Sequence, residues 1–201
     1  MKTIIAPVDF SDAALNALSF AAELSKRASA RLLVINVSEK DREEEKIKNK
    51  LKLIESDLEK NFGPDLQFES LVAHGDLIST LKKMMANYQP DLIVMGTKGA
   101  SGLKKMLIGS NTVNVIANTN IPVLVIPEAA RFKNFNGRNR IVLATDLELL
   151  ENDAVLDILK EIALFIEEPK LRVISVRPKY TTLPDLKRLE RDHLVSFFSS
   201  D

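Results

Sequence analysis

The chain has 201 residues, 45% apolar and 28% charged, and its lysines and arginines balance its aspartates and glutamates to a net charge of zero. That length and apolar content predict one large domain, or one domain and a fragment, around a real core; the neutral balance supplies no global field for nucleic acid or an anionic membrane. The absence of cysteine excludes disulfides, thiolate nucleophiles and cysteine-type zinc sites, and it fits a reducing cytoplasm.

No apolar run approaches the ~20 residues that span a bilayer. The opening MKTIIAPVDFSD holds too short an apolar stretch for a signal-peptide core. The expectation is a soluble, cytoplasmic protein with no nucleic-acid or membrane partner.

Thr3–Val8 is a β-branched apolar run without alternation, the pattern of a strand buried on both faces of a parallel sheet. Ser11 is placed to cap the following helix and Asp12 suits its first turn; Leu15, Leu18, Ala22 and Ser25 recur there at helical spacing. Arg31–Val37 reads as a second buried strand. Residues 40–62 are charged but carry Ile47, Leu51, Ile54, Leu58 and Phe62, the stripe of an amphipathic helix with a solvated outer face. Leu66–Val72, polar at alternate positions, predicts a strand near a sheet edge.

Gly75 and Asp76 open a helix with Leu77, Leu81, Met84, Met85 and Tyr88 on one stripe, ended by Pro90-Asp91. Leu92–Met95 is a fourth buried strand, followed by the loop Gly96–Gly109, a helix through Val113 and Ile116, and a fifth strand at Ile121–Ile126 closed by Pro127. Strands alternating with helices predict right-handed crossovers and a doubly wound, five-stranded parallel α/β sheet of Rossmann-like type. In such sheets ligands bind beyond the carboxyl ends of the strands, where Asp9, Val37 and Gly96 fall.

Residues 128–139 are polar and aperiodic and read as a linker. The plan of Lys2–Val37 then starts again at 139–176: apolar strand, aspartate (Asp146 against Asp9), amphipathic helix, apolar strand, with LLVINV matched by LRVISV. Ile141–Thr145 and Leu171–Val176 are its strands, and Val155, Leu156, Leu159, Ile162 and Ala163 line the helix between them. Residues 140–201 thus form an incomplete second repeat, a single β-α-β unit. Two strands alone would leave unpaired backbone at both edges.

Four of the seven glycines fall at 96, 99, 102 and 109. Glycine allows positive φ and lets backbone approach a ligand closely. The loop ends at a helix start, where free N–H groups and the helix dipole favour an anion, and Lys98, Lys104 and Lys105 add positive charge. There is no G-x-x-x-x-G-K-[ST] and no G-x-G-x-x-G, so neither a P-loop nor the dinucleotide fingerprint is present. The histidines, His74 and His193, have no ligand-spaced partners and read as surface residues.

Gly96-x-x-Gly99, nine residues, then Gly109-Ser110 resembles the phosphate motif of the ATP-binding universal stress proteins. APVDFSDAALNAL, DLIVMGTKG and NIPVLVIP resemble that family's first strand and helix, fourth strand and loop, and last strand. The likeness runs in order through residues 1–127 and extends weakly to 139–176, as in tandem members. It implies that Pro7, Val8 and Asp9 sit against adenine, with Asp9 accepting from the amino group or ribose, and that Val37 flanks the base. It also implies that Met95, Gly96 and Gly99 approach the ribose and phosphates, and that Gly109, Ser110, Asn111 and Thr112 hold the phosphates. Asn111 stands where the family often has a small apolar residue. ATP, with Mg²⁺ on its phosphates, is the implied ligand, and edge-to-edge packing of such domains implies a homodimer.

Three functions follow from these residues: a nucleotide-dependent stress or signalling module with slow or no hydrolysis, a true ATP hydrolase, and a dimerising interaction protein without nucleotide. The glycine spacing argues against the third. The lack of a nucleophile–base pair weighs against the second.

Overall fold

A computed structural model describes residues 1–38, 44–97, 109–131, 140–144, 154–163, 170–174 and 192–198. The chain divides into two compact units, Met1–Phe132 and Lys133–Asp201.

In the first unit the elements run β1 (Thr3–Pro7), α1 (Asp12–Ala28), β2 (Arg31–Ser38), α2 (Glu44–Phe62), β3 (Phe68–His74), α3 (Leu77–Tyr88), β4 (Leu92–Thr97), α4 (Ser110–Asn118) and β5 (Val123–Pro127). They form a five-stranded sheet in the order β3-β2-β1-β4-β5, and the pairings are parallel. This is the doubly wound α/β fold expected of the sequence. Helices cover both faces, so consecutive residues of the central strands are buried: Ile4, Ile5, Leu32, Leu33, Val34, Ile35, Ile93 and Val94 have no exposed surface. Each such aliphatic side chain contributes about 1.5–3 kcal/mol by leaving water. Asp91 ties the start of β4 to that of β1, accepting from the N–H groups of Lys2 at 2.6 Å and Thr3 at 3.0 Å.

β3 lies at a sheet edge, as its alternation predicts, and α2 buries the expected Ile47, Leu51, Ile54 and Leu58. On α1 the expected Leu18, Ala22 and Ser25 are buried and Leu15 is not. α1 packs through small residues, Ala13, Ala14, Ala17, Ala21 and Ala22, with Leu18, Phe20 and Leu24, while Leu15 is 39% exposed. α4 buries Thr112 and Val115 and leaves Val113 and Ile116 exposed. The Thr112 hydroxyl donates to the Gly96 carbonyl at 3.2 Å, and a satisfied hydroxyl turns inward without penalty. The chain just after β5 is held on the first unit: Glu128 N donates to Thr97 O at 3.0 Å, and Asn16 Nδ2 donates to the carbonyls of Pro127 and Ala130.

The second unit contains β6 (Arg140–Ala144), α5 (Ala154–Ala163) and β7 (Lys170–Ile174). β6 and β7 pair in parallel, the pairing expected of the β-α-β unit. Residues 192–198 are helical, and Leu156 and Leu194 form a small core with Leu143, Phe197 and Phe198. Asp146 lies outside the described residues. No helix among the described residues is long and apolar enough to cross a membrane.

Candidate functional site

The carboxyl ends of β1, β2 and β4, together with the starts of α1, α3 and α4, surround a cavity of about 350 Å³. Parallel strands generate such a crevice because every strand delivers its carboxyl end to the same side.

β1 ends in a sharp turn. Pro7 and Val8 line the cavity, Asp9 follows at its mouth, and Phe10 adopts φ 63°, a left-handed conformation unusual for a bulky side chain. Ser11 then caps α1: its side chain accepts from Ala14 N at 3.3 Å. The same residue fastens Asp9, donating to Oδ1 from its N–H at 3.0 Å and from its hydroxyl at 2.5 Å. Asp9 is exposed, with one carboxylate oxygen spent on the turn.

β2 contributes Ile35 and Val37 and β4 contributes Met95, Gly96 and Thr97; of these, the apolar side chains Ile35, Val37 and Met95 suit a flat hydrophobic ring. α1 lies close against the sheet at Gly96. A Cβ there would lie 2.2 Å from the Ala13 carbonyl oxygen.

α4 begins differently from the other helices at the cavity. Ser11 caps α1 and Asp76 caps α3, each through a side-chain oxygen. The N-cap of α4 is Gly109, which makes no side-chain cap hydrogen bond. Its φ of −60° and ψ of 148° are open to any residue, so the positive φ expected of this glycine is not present. A Cβ at Gly109 would meet nothing within 4 Å among the described residues. The first-turn residues Ser110, Asn111 and Thr112 line the cavity, and a helix start with this geometry attracts an anion.

The structure therefore brings Pro7, Val8, Asp9, Val37, Met95, Gly96, Gly109, Ser110, Asn111 and Thr112 around one cavity. Gly99 and the loop lysines Lys98, Lys104 and Lys105 lie outside the described residues. The sequence reading missed Gly75, Asp76 and Leu77, which also line it. Their signal was available: they follow a strand end, as Asp9 and Gly96 do. Asp76 Oδ1 accepts from Ser79 N at 2.9 Å and from the Ser79 hydroxyl at 3.2 Å. The Ser79 backbone N–H is the main cause holding the Asp76 carboxyl below the usual aspartate range.

Neither histidine lines the cavity. His74 Nε2 lies 3.3 Å from Glu44 Oε2, and the Lys48 ammonium, 2.6 Å from Glu44, holds that carboxyl below its ordinary value. His193 stacks obliquely near Phe197, with ring centroids 6.1 Å apart. No group of three or more metal-ligating side chains occurs among the described residues.

Residues 1–127 match the model of the universal stress protein family. Universal stress protein MJ0531 of Methanocaldococcus jannaschii is 30% identical over 147 residues, 62% of this chain and 81% of that one. A universal stress protein structure from Archaeoglobus fulgidus DSM 4304 superimposes with a TM-score of 0.72 at 20% identity, covering 98% of this chain and 74% of its own. A universal stress protein solved in complex with cAMP has a TM-score of 0.52 at 21% identity, covering 64% of this chain and 98% of its own. At those identities the two structures are likenesses of fold.

Proposed function

The chain belongs to the universal stress protein family, and from that premise we propose that its first unit binds ATP and acts as a nucleotide-dependent stress or signalling module with slow or no hydrolysis. The observation that carries the reading is the start of α4. Gly109 leaves the helix without a side-chain cap and, among the described residues, leaves open space where a side chain would stand, beside apolar side chains and a carboxylate. An anion such as phosphate takes the place of the missing cap, the apolar side chains take the base, and Asp9 accepts from an amino or hydroxyl donor. That a fold relative was solved in complex with cAMP supports the nucleotide reading. Gly99, whose spacing completes the motif, belongs to the same proposal, as does a Mg²⁺ carried on the phosphates.

Slow turnover follows from how the carboxylates lining the cavity are used. Asp9 and Asp76 each spend Oδ1 on holding backbone, and no histidine lines the cavity to activate water. Calorimetry with ATP–Mg²⁺ on the full chain should give one nucleotide per chain, and phosphate release should stay well under the ~10 s⁻¹ of a typical enzyme. No heat and no thermal shift at millimolar ATP, with folded protein, removes the nucleotide reading. Release near the enzyme rate replaces the module with a hydrolase.

A homodimer and a cytoplasmic location complete the proposal. β5 pairs only with β4 in this sheet, and Val113 and Ile116 of α4 are 47% and 46% exposed. An open strand edge with apolar side chains on a helix of the same unit favours pairing with another chain. Light scattering should return twice the chain mass; a strict monomer at micromolar concentration withdraws the dimer and leaves the nucleotide site standing.

A further inference from the structure

Asn36 is an amide in the buried run of β2, 5% exposed. Its Oδ1 has no hydrogen-bond partner among the described residues. A buried amide with half its capacity unused is unfavourable, and an aliphatic residue would pack there without that penalty. The half that is used is specific: Nδ2 donates to the Val8 carbonyl at 2.7 Å.

That carbonyl stands where the β1–β2 ladder stops. The paired residues end at Pro7 and Ile35, with one further bond from Val8 N to Ile35 O at 2.8 Å. In a continuing parallel ladder the next rung would run from Val37 N to Val8 O. The Asn36 side chain reaches that acceptor and fixes the plane of the Val8–Asp9 peptide. Phe10 then takes its left-handed φ of 63°, a conformation a non-glycine residue leaves unless its surroundings hold it. Ser11 secures the far side through Asp9 Oδ1.

We propose that Asn36 is a positioning residue: it anchors the strained Val8–Ser11 turn so that Asp9 is presented to the base-and-sugar end of a nucleotide in the cavity. The inference rests on the nucleotide reading above. A carboxylate repels phosphate and accepts from amino or hydroxyl donors, so Asp9 serves the end of the ligand away from α4. Asn36 itself touches no ligand; it acts through Val8 and Asp9.

The test is ATP affinity and melting temperature for the full chain, in wild type, Asn36→Leu, Asn36→Ala and the double variant Asn36→Leu with Phe10→Gly. Asn36→Leu should weaken ATP binding about tenfold, the effect of losing one ordinary hydrogen bond's worth of positioning. Glycine holds a left-handed φ at little cost, so adding Phe10→Gly should recover at least part of that loss. A residue that served packing alone would show no such rescue. The inference is overturned if Asn36→Leu binds ATP like wild type, or if Phe10→Gly recovers nothing. It is also overturned if Asn36→Leu and Asn36→Ala both fail to fold, since Asn36 then serves the sheet. A wild type that does not bind ATP overturns the nucleotide reading and this inference with it.

Discussion

Gly109→Asp is expected to abolish ATP binding while leaving the melting temperature unchanged or slightly raised. The backbone at Gly109 already has the extended conformation of an N-cap, and an added Cβ meets no neighbour within 4 Å among the described residues. Aspartate is among the best N-cap residues and exceeds glycine by a few tenths of a kcal/mol. Its charge also complements the positive end of the α4 dipole. Those properties put a carboxylate where a phosphate would bind, so the ligand meets an occupied and like-charged site. We expect ATP affinity to fall by at least about 100-fold, roughly 2.7 kcal/mol. Gly109→Val separates volume from charge: it removes binding by bulk alone and, as a poor cap, lowers stability slightly. Calorimetry beside thermal melts reads both. If Gly109→Asp binds ATP like wild type, the anion does not sit at α4.

Much of the fold was legible because hydrophobic pattern and burial report the same thing in a parallel sheet. The stripe Ile47, Leu51, Ile54 and Leu58 could face only inward on a helix otherwise covered in charge. Burial departs from hydropathy where size or hydrogen bonding outweighs it. α1 lies close against the sheet, so alanines occupy its contact face and the larger Leu15 turns partly to solvent. On α4, hydropathy favours Val113 and Ile116 over Thr112. The Gly96 carbonyl reverses that order by giving the threonine hydroxyl an acceptor.

The candidate site was legible in part for a related reason. Strand ends mark the rim of a doubly wound sheet, and Asp9, Val37 and Gly96 fall at strand ends. Gly75 and Asp76 obey the same rule, but the alternation places β3 at Leu66–Val72, two residues before its actual span Phe68–His74, so its end falls short of them. The left-handed Phe10 and the link from Asn36 to Val8 carry no local sequence signal. The first is an unfavourable choice for its conformation, and the second joins residues far apart in the chain.

Gly96→Ala is expected to do the reverse of Gly109→Asp, costing stability first and nucleotide second. An added Cβ would sit 2.2 Å from the Ala13 carbonyl oxygen, 2.4 Å from its carbon and 2.9 Å from Ala14 N. These are backbone atoms in the first turn of α1 and have no rotamer by which to yield. The helix must move off the sheet, and it carries Ala13, Ala14, Ala17 and Leu18 out of their packing. Overpacking of this kind costs about 3 kcal/mol, a fall in melting temperature of roughly 10 °C. The resemblance to the universal stress proteins implies that Gly96 approaches the ribose and phosphates, yet the close approach of α1 is sufficient reason for a residue without a side chain. Melting temperature and ATP affinity separate the two roles when affinity is measured well below the transition. If the variant melts early and, while still folded, binds ATP within a few-fold of wild type, the glycine is there for α1. If it melts like wild type but has lost ATP, the packing argument is wrong and the bare backbone of Gly96 faces the ligand.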